Sequence, residues 1–258
     1  ILNFFWDFFK IFFSQYFAGY ILTFYSFLSY LLVYLYLRKY NSFYYSFLLS
    51  SIIFFGSGLI SFFTGSYIES LILLLFVLRV ISQELKLKIF FDLIIILIKP
   101  YYFVYIALLH FCDSKSFIKN IKIFFFLVLS FILVKFIITY NFPSQQSYLD
   151  LLKSFNPNLD LVSILNNLYK FYFSYGVGIL FSSSIIIILF IFGYNKESKY
   201  KIVGLIFLSI FLCLWEGFHG YAPGGRYFLP IVVTFLTEFS SGFNYLLKNL
   251  DKIKFRFI

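Results

Sequence analysis

The chain has 258 residues, of which 62% are hydrophobic, 26% aromatic and only 12% charged, and its mean hydropathy is +0.91. Soluble domains carry about 25% charged residues, so the composition excludes an ordinary soluble domain. It predicts an all-α, polytopic transmembrane helical bundle, because a helix closes its own backbone hydrogen bonds in lipid. The formal net charge of +10 does not predict a nucleic-acid partner, since the basic residues form short clusters between apolar segments.

The first predicted spans alternate in direction across the membrane. The positive-inside rule assigns each basic cluster to the cytoplasm. With that constraint Tyr16–Leu37 runs inward, Phe43–Phe63 outward and Ser66–Ile81 inward. The chain contains no Met, so we expect an upstream part of the protein, with its first external loop, to precede Ile1.

The next apolar segment, Ile89–Phe111, is flanked by lysines on both sides. One crossing would leave lysines outside, whereas Pro100 disfavours a continuous helix at this point. Two alternatives remain open. The segment forms either a re-entrant hairpin with Lys99 near its tip or a single span kinked at the proline.

Four further spans complete a predicted total of about seven, in addition to the hairpin. They are Ile121–Tyr140, Tyr169–Tyr194, Ile202–Trp215 and Tyr227–Leu247. The only long polar connection, residues 141–168, carries apolar residues at helical spacing after proline-containing turns. We therefore predict one transmembrane domain over residues 1–258 with a lid-like external loop at 141–168.

Charged residues within these apolar segments are functional candidates unless they can reach the interface. Arg79 and Asp92 are expected to extend to the cytoplasmic interface, because both lie near the ends of their segments. His110 is expected to be interfacial. Glu238 lies nearer to mid-span and is interpreted as a hydrogen-bonding group between helices.

The external side of the predicted topology collects a set of polar residues suited to an anionic lipid headgroup. Arg226 is the strongest candidate, since its planar guanidinium suits bidentate phosphate binding. Gly224 and Gly225 before it would let backbone N–H groups approach the same oxygens. The alternative is a tight turn from which the arginine merely reaches the interface.

Four other residues on this side are weaker candidates. Lys99 could form a second phosphate contact or be an ordinary helix-end lysine. Glu69 could line the site or be a first-turn acid of its helix. Glu216 and His219 could transfer protons or orient a sugar, although they form no triad or metal spacing. The two cysteines, Cys112 and Cys213, also lie in no metal-ligand spacing, so no metal site is predicted.

The segment 214–230, "LWEGFHGYAPGGRYFLP", resembles the W-x-G-G-x-x-x-G-x-R-Y-L-x-P segment of bacterial GT-C glycosyltransferases. This superfamily includes protein O-mannosyltransferases and aminoarabinose transferases. The segments "FFGSGLISFF", "LIIILIKPYY" and "FYFSYGVGILFSSSIIIILFIFGY" resemble its other motifs in the same order. The shared core is Gly224, Arg226, Tyr227 and Pro230, whereas Phe218 replaces the family's second glycine and Ser183 a late proline.

The resemblance implies transfer of a sugar from a polyprenyl-phosphate donor to a lipid, glycan or protein acceptor on the external face of a bacterial cytoplasmic membrane. Arg226, helped by Lys99, Gly224 and Gly225, would bind the donor phosphate, and Glu69, Glu216 and His219 would line the sugar or acceptor site. The general base would lie upstream of Ile1. No cofactor is evident, and a divalent metal requirement is open. The alternatives are a polyprenyl-linked oligosaccharide polymerase or ligase and a non-enzymatic lipid or solute transporter.

Overall fold

A computed structural model describes residues 15–57, 59, 69–113, 116–141, 161–173, 183–213 and 229–254. Every regular element in these ranges is helical, which confirms the all-α prediction. The α-helices are α1 Gln15–Leu37, α2 Phe43–Phe55, α3 Glu69–Ile81, α4 Leu85–Ile98, α5 Phe103–Asp113, α6 Phe117–Asn141, α7 Leu161–Phe173, α8 Ser184–Gly193, α9 Ser198–Cys213 and α10 Leu236–Lys254. Two 3-10 helices, Pro100–Tyr102 and Leu229–Phe235, precede α5 and α10.

Only two stretches within the described ranges are both long and apolar enough to cross a membrane. They are Gly19–Leu37 in α1 and Phe117–Val134 in α6, so the predicted count of about seven full spans is not confirmed. Several other helices are short: α2 and α3 have 13 residues each, which corresponds to about 20 Å against a hydrocarbon core of about 30 Å.

Two predicted spans are also wrong as continuous α-helices. Tyr169–Tyr194 was predicted as one helix, but Ser183 has a φ of −135°, and α8 begins only after it. The last span, Tyr227–Leu247, contains a 3-10 helix through Phe235 before α10 begins. Of the predicted loop at 141–168, residues 161–168 belong to α7, and residues 142–160 lie outside the described part of the chain.

The outer faces of the helices are strongly apolar, while polar groups lie inside. Phe24 on α1 is 57% exposed, and Leu129 on α6 is 68% exposed. Small hydroxyls are buried instead. Ser29 donates a hydrogen bond to the carbonyl oxygen of Tyr25 on its own helix, at 2.7 Å. A soluble domain shows the opposite arrangement, because contiguous exposed apolar surface is costly in water.

The helix is interrupted at Lys99, as Pro100 predicted, and α5 runs back alongside α4. Lys99 has an extended backbone (φ −136°, ψ 90°). The carboxylate of Asp92 on α4 lies 2.9 Å from Nε2 of His110 on α5. Those two residues would be about 27 Å apart in a straight helix. The structure therefore has the helical hairpin rather than the single kinked helix, with Lys99 next to its tip.

Helices α8 and α10 are pressed together at two glycines. A Cβ atom added to Gly193 would overlap the carbonyl oxygen of Glu238, and one added to Gly242 would overlap that of Leu189. Each glycine therefore admits the backbone of the other helix. Such close approach through small residues is common where helices pack within membranes.

Candidate functional site

The structure brings together the two predicted site residues that it describes, Glu69 and Lys99. Glu69 is in the first turn of α3, where the helix dipole favours a negative charge. Lys99 is the residue that follows α4. The Lys99 ammonium lies 3.4 Å from Oε1 of Glu69, so the chain break at the hairpin tip directs this lysine to the start of the neighbouring helix.

This ion pair is unequally exposed. The Glu69 side chain is 2% exposed, whereas that of Lys99 is 23% exposed. The Lys99 ammonium also lies 6.0 Å from the centre of the Tyr101 ring, within the range of a cation–π contact. The carboxylate is therefore held inside the protein while part of the lysine faces outward, where it can contact an anion.

The tip of the hairpin is fixed by aromatic packing. The Tyr101 and Tyr102 rings are 4.5 Å apart, and the Tyr102 ring meets the edge of Phe76 on α3 at 5.4 Å. Tyr102 is fully buried. Aromatic contacts of this kind contribute about 0.5–1.5 kcal/mol each beyond the area they bury, so they hold Lys99 beside α3.

The other predicted site residues lie outside the described residues. They are Glu216, His219, Gly224, Gly225 and Arg226. The proposed general base upstream of Ile1 also lies outside them.

A larger charged cluster lies at the other end of α3, about 15 Å from Glu69 along the helix axis. We call it the Arg79 network; its members are Arg79, Lys88, Asp92, His110 and Asp113. Arg79 donates from Nε to Asp92 at 2.7 Å and from a terminal nitrogen to Asp113 at 2.8 Å. Lys88 donates to the second oxygen of Asp113.

The Arg79 network is nearly closed to solvent. Arg79 is 4% exposed, Asp92 is fully buried and His110 is 1% exposed. The expectation that Arg79 and Asp92 extend outward to the interface was therefore wrong, whereas the interfacial depth of His110 stays a prediction. The charges of the two cations, Arg79 and Lys88, and of the two carboxylates cancel, and this balance permits burial.

The charged neighbours of Asp113, the most exposed carboxylate of the network, determine its pKa. Its side chain is 15% exposed. Burial alone would raise the pKa of Asp113, but the neighbouring charges of Arg79 and Lys88 outweigh burial and hold this pKa below its ordinary value. The carboxylate thus stays ionised at neutral pH.

The sequence contained a signal for this network that the search for single charges missed. Arg79 and Asp92 stand on either side of the short connection between α3 and α4, with opposite charges. Asp92 and His110 each lie nine residues from Tyr101, the middle residue of the 3-10 turn at the hairpin tip. If the hairpin is assumed, the residues of each pair can meet at the open end of the hairpin, close to Lys88.

A second buried ion pair joins α9 to α10. Lys201 donates to both carboxylate oxygens of Glu238, at 2.7 and 2.9 Å, and to the carbonyl oxygen of Thr234. Ser198 donates to the same carboxylate at 2.8 Å. The interpretation of Glu238 as a hydrogen-bonding group between helices is confirmed. The contact between α9 and α10 is enough to account for the Lys201–Glu238 pair.

Neither cluster has the composition of a metal site. Within the described ranges, no three His, Cys, Asp or Glu side chains are grouped so that they could hold a metal ion. Cys112 is a free, half-buried thiol, and burial raises its pKa to about 11. It is therefore a poor nucleophile near neutral pH.

The chain matches no protein-family model, no curated protein and no solved structure. The resemblance to GT-C glycosyltransferases accordingly rests on the quoted segments alone.

Proposed function

We propose that the protein is a polytopic integral membrane protein in which the shorter helices complete a bundle around α1 and α6. The observation that supports this is the inverted distribution of polarity. Phe and Leu side chains cover the outside, while Ser29, the Arg79 network and Glu238 are buried. In lipid this arrangement is favourable, because apolar faces are solvated by chains and polar groups find partners within the bundle.

Cysteine accessibility tests this topology in sealed membrane vesicles. We expect Ser147→Cys to react with an impermeant thiol reagent from outside, and Asn41→Cys and Lys196→Cys to react only after permeabilisation. Lys196 is exposed, whereas nearby Ser198 is fully buried. A cysteine at Ser198 would therefore not react from either side. Labelling of Lys196→Cys from outside would contradict the topology.

A cysteine at Ser116 tests whether the α4–α5 hairpin is re-entrant. Ser116 is exposed and follows the hairpin closely. If both ends of the hairpin are cytoplasmic, Ser116→Cys is protected from an external reagent. Labelling from outside would show that the segment crosses the membrane.

Within this topology we propose that the protein is a glycosyltransferase of GT-C type that uses a polyprenyl-phosphate sugar donor on the external face. Two observations support the proposal. The "PGGR" turn offers a guanidinium and backbone N–H groups suited to phosphate. The Arg79 network and the Glu69–Lys99 pair lie at the two ends of α3. The proposed topology assigns the lysines beside the network to the cytoplasm, so it assigns the Glu69–Lys99 pair to the external side.

In this mechanism the leaving group is the polyprenyl phosphate, which gains negative charge as the bond to the sugar breaks. Arg226 and Lys99 stabilise that charge, and such electrostatic stabilisation is commonly a large term in catalysis. Glu69 holds the Lys99 ammonium in place and offsets its charge before the donor binds. The acceptor hydroxyl attacks the sugar carbon and gives up its proton to a general base.

Variants of the hairpin tip test the role of Lys99. We expect Lys99→Ala to lower kcat/KM for the donor about 10- to 100-fold, because a hydrogen bond to a charged group contributes about 1.5–3 kcal/mol. The KM for the acceptor should not change. Lys86→Ala is the matched control, since Lys86 is an exposed lysine on the same helix.

The assay is sugar transfer by the full-length protein in proteoliposomes, with thermal unfolding measured in parallel. Arg226→Ala should reduce donor use at least as strongly as Lys99→Ala, and Arg226→Lys should restore only part of it, because an ammonium lacks the planar fork. Near-normal turnover by folded Arg226→Ala at sub-saturating donor would refute the phosphate role.

A transporter is the second candidate, and the broken α4–α5 hairpin favours it. Discontinuous helices and buried charges are typical of substrate and ion sites in secondary transporters. The same proteoliposomes separate the two functions. A transporter would move a labelled lipid or solute without any sugar transfer, and Asp92→Asn would abolish that movement while Lys99→Ala would not.

A further inference from the structure

A cavity of about 160 Å³ lies among α7, α8, α9, the second 3-10 helix and α10; we call it the α8 cavity. Its walls are almost entirely apolar and include Ile187, Leu205, Val232 and Phe239. Its volume is close to that of an engineered apolar cavity of about 150 Å³ that stays dry and binds benzene. The α8 cavity can therefore hold about six carbon atoms.

One polar group in the wall of the α8 cavity lacks a partner. Ser183 lines the cavity, is 3% exposed, and its hydroxyl has no hydrogen-bond partner in the described part of the chain. Serine before a helix usually accepts a hydrogen bond from the backbone of the first turn, but the Ser183 side chain makes no such cap on α8. A buried hydroxyl without a partner is unfavourable, so a ligand oxygen that pairs with it would gain affinity.

The chemistry of the wall selects among ligands. No charged side chain lines the α8 cavity within the described ranges, so an anionic group would be desolvated there without compensation. A neutral oxygen next to a short hydrocarbon segment fits both the hydroxyl and the volume. The ester of an acyl chain has this composition.

The neighbouring surface indicates where such a ligand comes from. The outer faces of the two helices that flank the α8 cavity are apolar and exposed; they include Ile188 and Ile191 on α8 and Ile206 and Phe207 on α9. In the proposed topology these faces meet lipid chains.

We propose that the α8 cavity binds one acyl chain of a neutral glycerolipid, with the ester oxygen hydrogen-bonded to Ser183 and about the first six carbons packed against Leu205 and Val232. This site is distinct from the Glu69–Lys99 pair and does not require sugar transfer. Failure of either proposal therefore leaves the other standing.

The test uses the full chain in nanodiscs and a methyl octanoate probe that carries a diazirine on its chain, with cross-links located by mass spectrometry. We expect saturable labelling at Ile187 and Leu205. Exposed Leu129 and Ile132 on α6 serve as internal controls, because their labelling by bulk probe should not saturate.

Two variants make the test specific. Val232→Phe reduces the free volume and should lower saturable labelling more than about tenfold, since burial of each CH₂ contributes about 0.8 kcal/mol. Ser183→Ala should weaken competition by methyl octanoate about two- to tenfold but leave competition by octane unchanged. Octanoate, which is charged, should compete poorly.

The outcomes that overturn the proposal are equally defined. Labelling of the α8 cavity that does not saturate, or that is unchanged in folded Val232→Phe, would show that it is not a binding site. Equal competition by octanoate would refute a neutral ligand. Competition by methyl octanoate but not by dioctanoylglycerol would refute a glycerolipid as the source.

Discussion

Removal of one carboxylate from the Arg79 network tests whether the balance of buried charges stabilises the protein. Asp92 is fully buried, receives a hydrogen bond from Arg79 Nε at 2.7 Å and lies 2.9 Å from His110 Nε2. Asp92→Asn preserves its shape but deletes its charge. The network then holds two cations and one carboxylate, and the Arg79 guanidinium is buried.

The expected cost is about 3–5 kcal/mol, the usual result of removing one partner from a buried ion pair. For a chain of this length that corresponds to a midpoint of thermal unfolding lower by about 6–20 °C. Lys86→Ala is the matched control, because it removes an exposed charge from the same helix and should cost less than about 0.5 kcal/mol.

A double variant distinguishes charge imbalance from loss of packing. Arg79→Met with Asp92→Leu restores neutrality and fills similar volume, and apolar replacement of a buried pair is often neutral or stabilising. We therefore expect the double variant to be more stable than Asp92→Asn. Lys88 still pairs with Asp113 in this background.

The measurement is unfolding by heat and by SDS in mixed micelles, followed by far-UV circular dichroism. Two results would refute the reasoning. One is a loss for Asp92→Asn no larger than that for Lys86→Ala. The other is a double variant less stable than the single one, which would mean that the ion pair itself, rather than its balance, stabilises the fold.

Two further predictions use the same stability assay. Gly193→Ala and Gly242→Ala should each destabilise the protein more than Gly204→Ala does, because the first two methyl groups meet backbone carbonyls of the facing helix and the third meets the side chains of Tyr105 and Leu108. Equal losses would contradict the close crossing of α8 and α10. The folded pKa of Asp113 is lowered, so its contribution to stability is complete above the unfolded pKa of about 3.9 and disappears as pH falls through the folded pKa. Wild type should therefore lose more stability than Asp113→Asn between pH 6 and pH 3. Parallel curves of stability against pH for the two proteins would refute this contribution.

The sequence by itself determined the class of structure and the positions of several breaks. The apolar content required helices, since only helices satisfy the backbone hydrogen bonds of such long apolar segments internally. The helix boundary at Lys99 followed from the missing N–H of Pro100, and the position of Glu69 in the first turn of α3 from the preference of a carboxylate for that turn. These are local effects, set by a few adjacent residues.

Only the tertiary structure decided which charges meet. Whether Arg79 and Asp92 reach the interface or each other depends on the fold-back of α4 onto α5 and on the neighbouring α3, and no local pattern fixes that arrangement. Likewise, the unpaired hydroxyl of Ser183 lines a cavity that only the packing of five elements forms. A buried charge or hydroxyl is stable only with a partner from another part of the chain, so its environment is a property of the assembled bundle.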